Sequence, residues 1–215
     1  MTMAARKADF GANHQPYKMS FTSGGLFLNE SVIVAELHVI GEDWKVTLSR
    51  ALEEGATSLP KAASNRRTLR EIVNRLMTLT EDEIRFFVSG PGRQEQQHLL
   101  WIATCRAYRF VREFAIEVIC DRYLAYQLDL PLESFDIFFD AKADWNEGLA
   151  SISDSTRNKL RQILFRMMRE AGVISGDNRC RTRDGHRLHQ PRPRRRCHAD
   201  WYRNRASVQK AASPM

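Results

Sequence analysis

The spacing of apolar residues from Gln94 to about Tyr126 restricts the fold of this chain more than any other feature of its sequence. Apolar positions recur there at intervals of three or four residues, which places them on one face of an α-helix. No segment of the chain shows the two-residue alternation typical of a strand. We predict one long helix, or two with a break near Ala107, with these inward positions: Leu99, Ala103, Ala107, Phe110, Phe114 and Val118.

Shorter segments repeat this spacing and end at residues that terminate helices. Gly41, Gly55 and Gly172 follow apolar periodic segments, as expected at helix C-termini. Thr80 and Glu83 have the spacing of a capping box, which marks a helix start. Seven or eight helices joined by short connections predict an all-α fold, a single helical-bundle domain.

The positive charge is concentrated at the C-terminal end. The 215 residues include 33 Lys and Arg and 26 Asp and Glu. Residues 179–215 hold 11 of the basic and two of the acidic residues, which leaves 22 basic and 24 acidic residues in residues 1–178. DNA binding would therefore depend on local basic surfaces or on the tail. We expect residues 1–18 to be disordered, residues 19–176 to form the helical domain, and residues 177–215 to be a disordered basic tail.

Several classes of protein are excluded by missing patterns. The N-terminal sequence has no apolar signal-peptide core, and no apolar run approaches the roughly 20 residues of a membrane-spanning helix. Four cysteines without a Cys-x-x-Cys pair are typical of reduced thiols. We expect a cytoplasmic protein without membrane insertion. The absence of zinc-binding spacing or a nucleophile–base motif predicts no metal, no cofactor and no enzymatic activity.

Asp136, Asp140 and Asp144 follow one another at intervals of four residues. Such a carboxylate stripe could hold a magnesium ion for phosphodiester cleavage. The alternative interpretation is a solvated helix face opposite the phenylalanines of the same segment. We favour the solvated face because no second motif supports metal chemistry.

Gly24 and Gly25 precede an apolar helical segment and raise the possibility of a phosphate site. A P-loop requires a preceding strand and a lysine, whereas no strand pattern precedes this pair and Leu26 stands where the lysine would be. A dinucleotide fingerprint requires three glycines in a βαβ unit. Two interpretations remain: a plain helix start, which we favour, or exposed amides that contact a nucleic-acid phosphate.

Basic residues cluster on three predicted helices, where surfaces normally mix both signs of charge. We interpret them as candidate phosphate contacts, although any one cluster could be ordinary surface. They are Arg66, Arg67, Arg70, Arg106, Arg109, Arg112, Arg157, Lys159, Arg161, Arg166 and Arg169. In the last helix Glu170 is the one acid that opposes them. Arg106 could instead pair with Glu113 or Glu117, and we expect Trp101 and Trp145 to be core aromatics.

Four segments together resemble the BrxA family of bacterial BREX phage-exclusion systems. They are MSFTSGGLFLNESVIVAEL, RQEQQHLLWIATCRAYRFVREFAIEVI, FDIFFDAKADW and STRNKLRQILFRMMREAGVIS, within residues 19 to about 178. The resemblance implies an all-helical, NusB-like protein that binds double-stranded DNA without known catalysis. Its implied partners are other BREX proteins, among them a methyltransferase, a phosphatase-like protein and ATPases. The family pattern is carried by Thr22, Gly24, Arg93, Glu95, Arg106, Lys159 and Arg161, and we add Arg93 to the candidate DNA contacts.

The sequence departs from the family after REAGVISGDNR. The family continues there with an apolar segment, whereas this chain has an arginine- and proline-rich run that cannot extend a packed core. The tail is therefore either frame-altered or divergent. We expect a non-catalytic, double-stranded-DNA-binding BREX component. The alternatives are an adaptor whose basic faces meet acidic partner proteins, and RNA binding in the manner of NusB, which fold analogy alone supports.

Overall fold

The computed structural model describes residues 16–56, 62–90 and 92–181, and the regular secondary structure within these ranges is helical. This confirms the predicted all-α class. A short 3₁₀ turn (Phe21–Ser23) precedes α1, and a π-helical turn (Ala115–Cys120) joins α6 to α7. The helices are α1 (Leu28–Glu36), α2 (Trp44–Glu53), α3 (Ala62–Leu76), α4 (Glu81–Val88), α5 (Arg93–Ala107), α6 (Arg109–Phe114), α7 (Asp121–Leu124), α8 (Glu133–Ala143), α9 (Glu147–Ala150) and α10 (Asp154–Glu170).

Local sequence signals set the helix boundaries. The Thr80 hydroxyl accepts from the amide of Glu83, and the Glu83 carboxylate accepts from the amide of Thr80, so the predicted capping box begins α4. Of the two alternatives for the long periodic segment, the one with a break near Ala107 is confirmed, because Tyr108 is extended and separates α5 from α6. Gly172 follows the end of α10 with φ = 69°, a left-handed conformation that glycine adopts without steric cost.

Phenylalanine side chains from α6 and α8 pack against one another in the core. Phe110 lies 5.1 Å from Phe138 and 5.8 Å from Phe135, ring centre to ring centre, in edge-to-face arrangements. Phe114 and Phe138 pack the same way at 5.4 Å. These rings are buried, and edge-to-face contact is the favoured geometry for aromatic pairs. The interval of three and four residues therefore predicted the inner face correctly here.

The ordered domain extends past its expected boundaries at both ends. Tyr17 packs edge-on against Phe110 at 5.8 Å, ahead of the expected start at residue 19. Beyond residue 176, the Cys180 amide donates to the carbonyl of Leu128 at 2.7 Å, and the Cys180 side chain is buried. The domain therefore reaches at least Arg181. The disorder expected for residues 1–15 and 182–215 lies outside the described residues.

One of the two tryptophans expected in the core is exposed. Trp101 is buried as predicted, but Trp145 is 86% exposed, because it lies just past the end of α8 rather than on its inner face. Ile33 of α1 is also exposed, at 43%.

Candidate nucleic-acid interface

The first turns of α3 carry three arginines along an open cleft of about 960 Å³. Leu69, Ile72 and Leu76 are buried at helical spacing, whereas Arg66, Arg67 and Arg70 are exposed on the other side of α3. Three of the predicted cations line the cleft, and Lys18 joins them from the N-terminal segment. The charged and amide side chains lining the cleft are Lys18, Asn65, Arg66, Arg67, Arg70, Glu71 and Asn74.

Two side-chain hydrogen bonds fix residues at the edge of this cleft. Arg67 donates from Nη2 to Oγ1 of Thr22 at 2.9 Å, which ties α3 to the 3₁₀ turn. Lys18 donates from Nζ to Oδ1 of Asn74. Arg66 and Arg70 are exposed on α3. Lys18 was not among the predicted cations, because residues 1–18 were expected to be disordered, and the local signal for an ordered position was the adjacent Tyr17.

A buried ion pair neutralises the carboxylate beneath the cleft. Arg75 is fully buried and donates to Oε1 of Glu71 from Nε and Nη2, at 3.2 and 3.0 Å. The Tyr108 hydroxyl also donates to this carboxylate oxygen. Burial, followed by the nearby Glu71 charge, raises the pKa of Tyr108, so its hydroxyl stays protonated as a donor. Arg75 therefore neutralises the negative charge of Glu71. The cleft is left positively charged by the four cations that line it, which are Lys18, Arg66, Arg67 and Arg70.

The glycine pair has a structural role that neither sequence interpretation anticipated. The Leu26 amide donates to the Glu170 carboxylate, and Arg75 donates to the carbonyls of Gly25 and Leu26 at 3.1 and 3.3 Å. A Cβ on Gly25 would lie 2.7 Å from Cδ of Glu170 and closer still to both carboxylate oxygens. The expected exposed amide is thus bound by the protein's own carboxylate. The pair does not cap α1 directly, because Phe27 occupies the N-cap position.

The aspartate stripe of α8 pairs with the basic residues of α10. Arg157 donates to Asp140 at 2.6 and 2.8 Å and to Asp136 at 3.2 Å, and Arg161 donates to Asp136. The hydrogen bonds from Arg157 lower the pKa of Asp140. Asp140 and Asp144 are exposed, as the solvated-face interpretation predicts, whereas Asp136 is only partly exposed. The expectation that only Glu170 opposes the α10 cations is wrong, because Asp136 and Asp140 pair with them.

Three further predicted cations also pair with carboxylates. Arg166 donates to Glu170 at 2.7 Å, and Arg109 donates to Glu113 at 2.6 Å. Arg106 pairs with Glu83 of α4 at 2.6 and 2.9 Å, a partner that the alternative interpretation, Glu113 or Glu117, did not include.

The Arg106 pair joins two helices at a partly buried site. Arg106 also donates to the carbonyl of Thr78 at 3.1 Å. Burial raises the pKa of Glu83, but hydrogen bonds from Arg106 and Thr80 outweigh it, and the net pKa is lowered. The Arg106 guanidinium therefore takes part in the contact between α4 and α5.

The remaining predicted cations lie outside the α3 cleft. Arg93 donates to Asn29 at 3.2 Å, and Arg169 donates to Asn178 at 2.8 Å. Arg112 and Lys159 are exposed on α6 and α10. In residues 16–56, 62–90 and 92–181, no group of three or more His, Cys, Asp or Glu side chains could hold a metal ion. None of the helices in these ranges is long and apolar enough to cross a membrane.

Comparison with known proteins assigns the chain to a family. The family model for BrxA matches residues 15–187. The chain belongs to the BrxA family. It is 27% identical over 156 residues to the BREX protein BrxA of Escherichia coli O9:H4 (strain HS), covering 73% of each chain. It is 26% identical over 160 residues to the BREX protein BrxA of Bacillus cereus (strain H3081.97), covering 74% of this chain and 80% of that one.

The BrxA fold is also present in a solved structure. The crystal structure of an uncharacterized protein from Magnetospirillum magneticum matches with a TM-score of 0.64, covering 91% of this chain and 95% of that one. The two sequences are 22% identical, so this likeness concerns the fold alone.

Proposed function

We propose that this BrxA-family chain is a non-catalytic BREX component of phage defence that binds double-stranded DNA along the α3 cleft. The observation that carries the proposal is the set of four cations, Lys18, Arg66, Arg67 and Arg70, around a cleft whose one lining carboxylate is paired with Arg75. Exposed guanidinium and ammonium groups bind phosphate oxygens and release counterions. Family membership supports the BREX assignment, because both curated relatives carry that name.

The pairing pattern ranks the predicted DNA contacts. Arg106, Arg109, Arg157, Arg161 and Arg166 are bound to carboxylates, so contact with a phosphate would require breaking or sharing an existing ion pair. We therefore place the primary contact on α3. Arg93, Arg112, Lys159 and Arg169 are proposed as secondary contacts, because no described carboxylate forms an ion pair with them.

Salt dependence gives the expected signature of this site. If Lys18, Arg66, Arg67 and Arg70 each neutralise one phosphate, the slope of log affinity against log salt is about −3.6, at about −0.9 per phosphate. Sequence preference should be weak, since phosphate contacts carry no base information. A protein of the cytoplasm would meet such DNA directly, which agrees with the predicted location.

The test replaces the three arginines of α3 with glutamine in the full chain. Arg66→Gln, Arg67→Gln and Arg70→Gln together should reduce the magnitude of the salt slope by about 2.7 in a duplex-binding titration. A matched variant removes three charges elsewhere, by Lys45→Gln, Arg85→Gln and Arg122→Gln, and should leave the slope nearly unchanged. An equal reduction in both variants would show that net charge, rather than the cleft, determines binding.

Three other outcomes would contradict the proposal. Absence of duplex binding at every salt concentration would favour the adaptor function. Tighter binding of RNA than of duplex DNA at equal salt would favour NusB-like RNA binding. A slope unaffected by the three α3 changes would place the DNA contact in the C-terminal tail or on other helices.

A further inference from the structure

The outward side of α8 carries an apolar stripe that no other described element covers. Ile137 is 71% exposed and Trp145 is 86% exposed, and the exposed Ala141 lies midway between them. These residues follow at intervals of four, so they lie along one side of α8 and its C-terminal end. Single exposed apolar residues are ordinary, but a tryptophan and an isoleucine in one line on an acidic helix are not explained by the monomer fold.

Exposed carboxylates border this stripe, which we call the α8 stripe (Ile137, Ala141 and Trp145). Glu133 precedes it, Asp144 lies beside Trp145, and Glu147 begins α9. Within the described residues, none of these three carboxylates forms an ion pair. Asp140 is also exposed at the border, although it pairs with Arg157. The surroundings of the α8 stripe are therefore negative.

We infer that the α8 stripe docks a basic amphipathic helix of another protein. The stripe is one helix face wide, which suits helix-on-helix packing with apolar contact at the centre and charges at the edges. Acidic borders select a partner with lysine or arginine beside its own apolar positions. Tryptophan is a frequent anchor at the centre of such interfaces.

The same charges argue against other occupants. A second copy of this chain would bring its own α8 carboxylates against these, and like charges at an interface oppose association. A nucleic acid would be repelled. The α8 stripe also belongs to another part of the fold than the α3 cleft, since α8 packs on α6 and α9 while α3 packs on α1, α2 and α5. This inference therefore stands independently of the proposed DNA site.

The test uses the full chain and three synthetic helical peptides with leucine at the same positions. Their flanking positions carry lysine, glutamine or glutamate, and binding is measured by fluorescence anisotropy of labelled peptide over a range of salt. The lysine peptide should bind most tightly, and the glutamate peptide should not bind. Trp145→Ala should weaken the lysine peptide at least about tenfold, which corresponds to about 1.4 kcal/mol, while Trp145→Phe should retain part of the affinity.

Charge variants and a matched apolar control complete the design. Glu133→Gln, Asp144→Asn and Glu147→Gln together should weaken the lysine peptide and flatten its salt dependence. Ile33→Ala, at an exposed apolar position of α1, and the α3 triple variant should have no effect. Circular dichroism should show equal helicity in all variants, because the changed side chains are exposed.

Four results would overturn the inference. They are no binding of the lysine peptide, equal binding by the Trp145→Ala variant, tightest binding of the glutamine peptide, and self-association that Trp145→Ala abolishes in sedimentation equilibrium.

Discussion

The contact between Gly25 and Glu170 explains why a glycine stands at this position, and it can be tested by substitution. Gly25 is not among the residues with positive φ, so alanine can adopt the backbone conformation. The obstacle is the Glu170 carboxyl, whose Cδ would lie 2.7 Å from the new Cβ. Because Glu170 is partly exposed, it can swing away, and the Leu26 amide then loses its acceptor. Gly25→Ala should therefore destabilise the fold through Glu170.

The expected loss in free energy of unfolding follows from the hydrogen bond between the Leu26 amide and Glu170. A hydrogen bond to a charged group contributes about 1.5–3 kcal/mol, and replacing glycine by alanine recovers about 0.4–1 kcal/mol by restricting the unfolded chain. The net loss in free energy of unfolding should be about 1–2 kcal/mol. At about 2–4 °C per kcal/mol for a domain of this size, the Tm should fall by about 2–8 °C.

A double-mutant cycle, measured by urea unfolding followed by circular dichroism, isolates the mechanism. Glu170→Ala alone removes the same hydrogen bond and should cost about 2 kcal/mol. In the double variant the new methyl group has room, so adding Gly25→Ala should cost nothing further. Gly176→Ala, where a Cβ meets no atom within 4 Å, should change stability by less than about 0.5 kcal/mol. Additive losses at Gly25 and Glu170 would refute this explanation.

Three other predictions concern the core, an ion pair and acid stability. Phe110→Ala should cost about 3–5 kcal/mol in urea unfolding, because four aromatic rings surround that position. Arg106→Gln should cost about 1 kcal/mol and leave duplex-DNA affinity nearly unchanged, since this guanidinium is bound to Glu83. Hydrogen bonds from Arg50 lower the pKa of Glu42 to about 2. The Glu42 carboxylate should therefore stabilise the fold fully above about pH 4.5 and lose this effect toward pH 2. The Tm should fall as the pH is lowered through this range, and it should fall less in the Arg50→Gln variant.

The spacing of apolar residues was sufficient to predict the all-α class and most of the core, although the described residues form ten α-helices rather than the seven or eight predicted. Spacing is local information, because residues three and four apart share a helix face whatever the helix packs against. The capping box at Thr80 was likewise predicted from neighbouring residues, whereas the break at Tyr108 was one of two alternatives that the spacing left open. Trp145 was misassigned because it lies just past the end of α8, where its interval of four residues from Ala141 and Ile137 places it on the exposed side.

The candidate site depends on contacts between residues that are far apart in the sequence. The arginines of α10 read as a free basic face, yet α8 folds against them and Asp136 and Asp140 accept from Arg157 across 21 and 17 positions of sequence. Gly25 reads as a loop residue, and its neighbour Leu26 meets Glu170 across 144 positions. The sequence alone determined the helical class, most of the apolar core and which residues carry charge. Only the tertiary structure decided which charges neutralise one another, because ion pairing depends on distances between helices that local pattern does not encode.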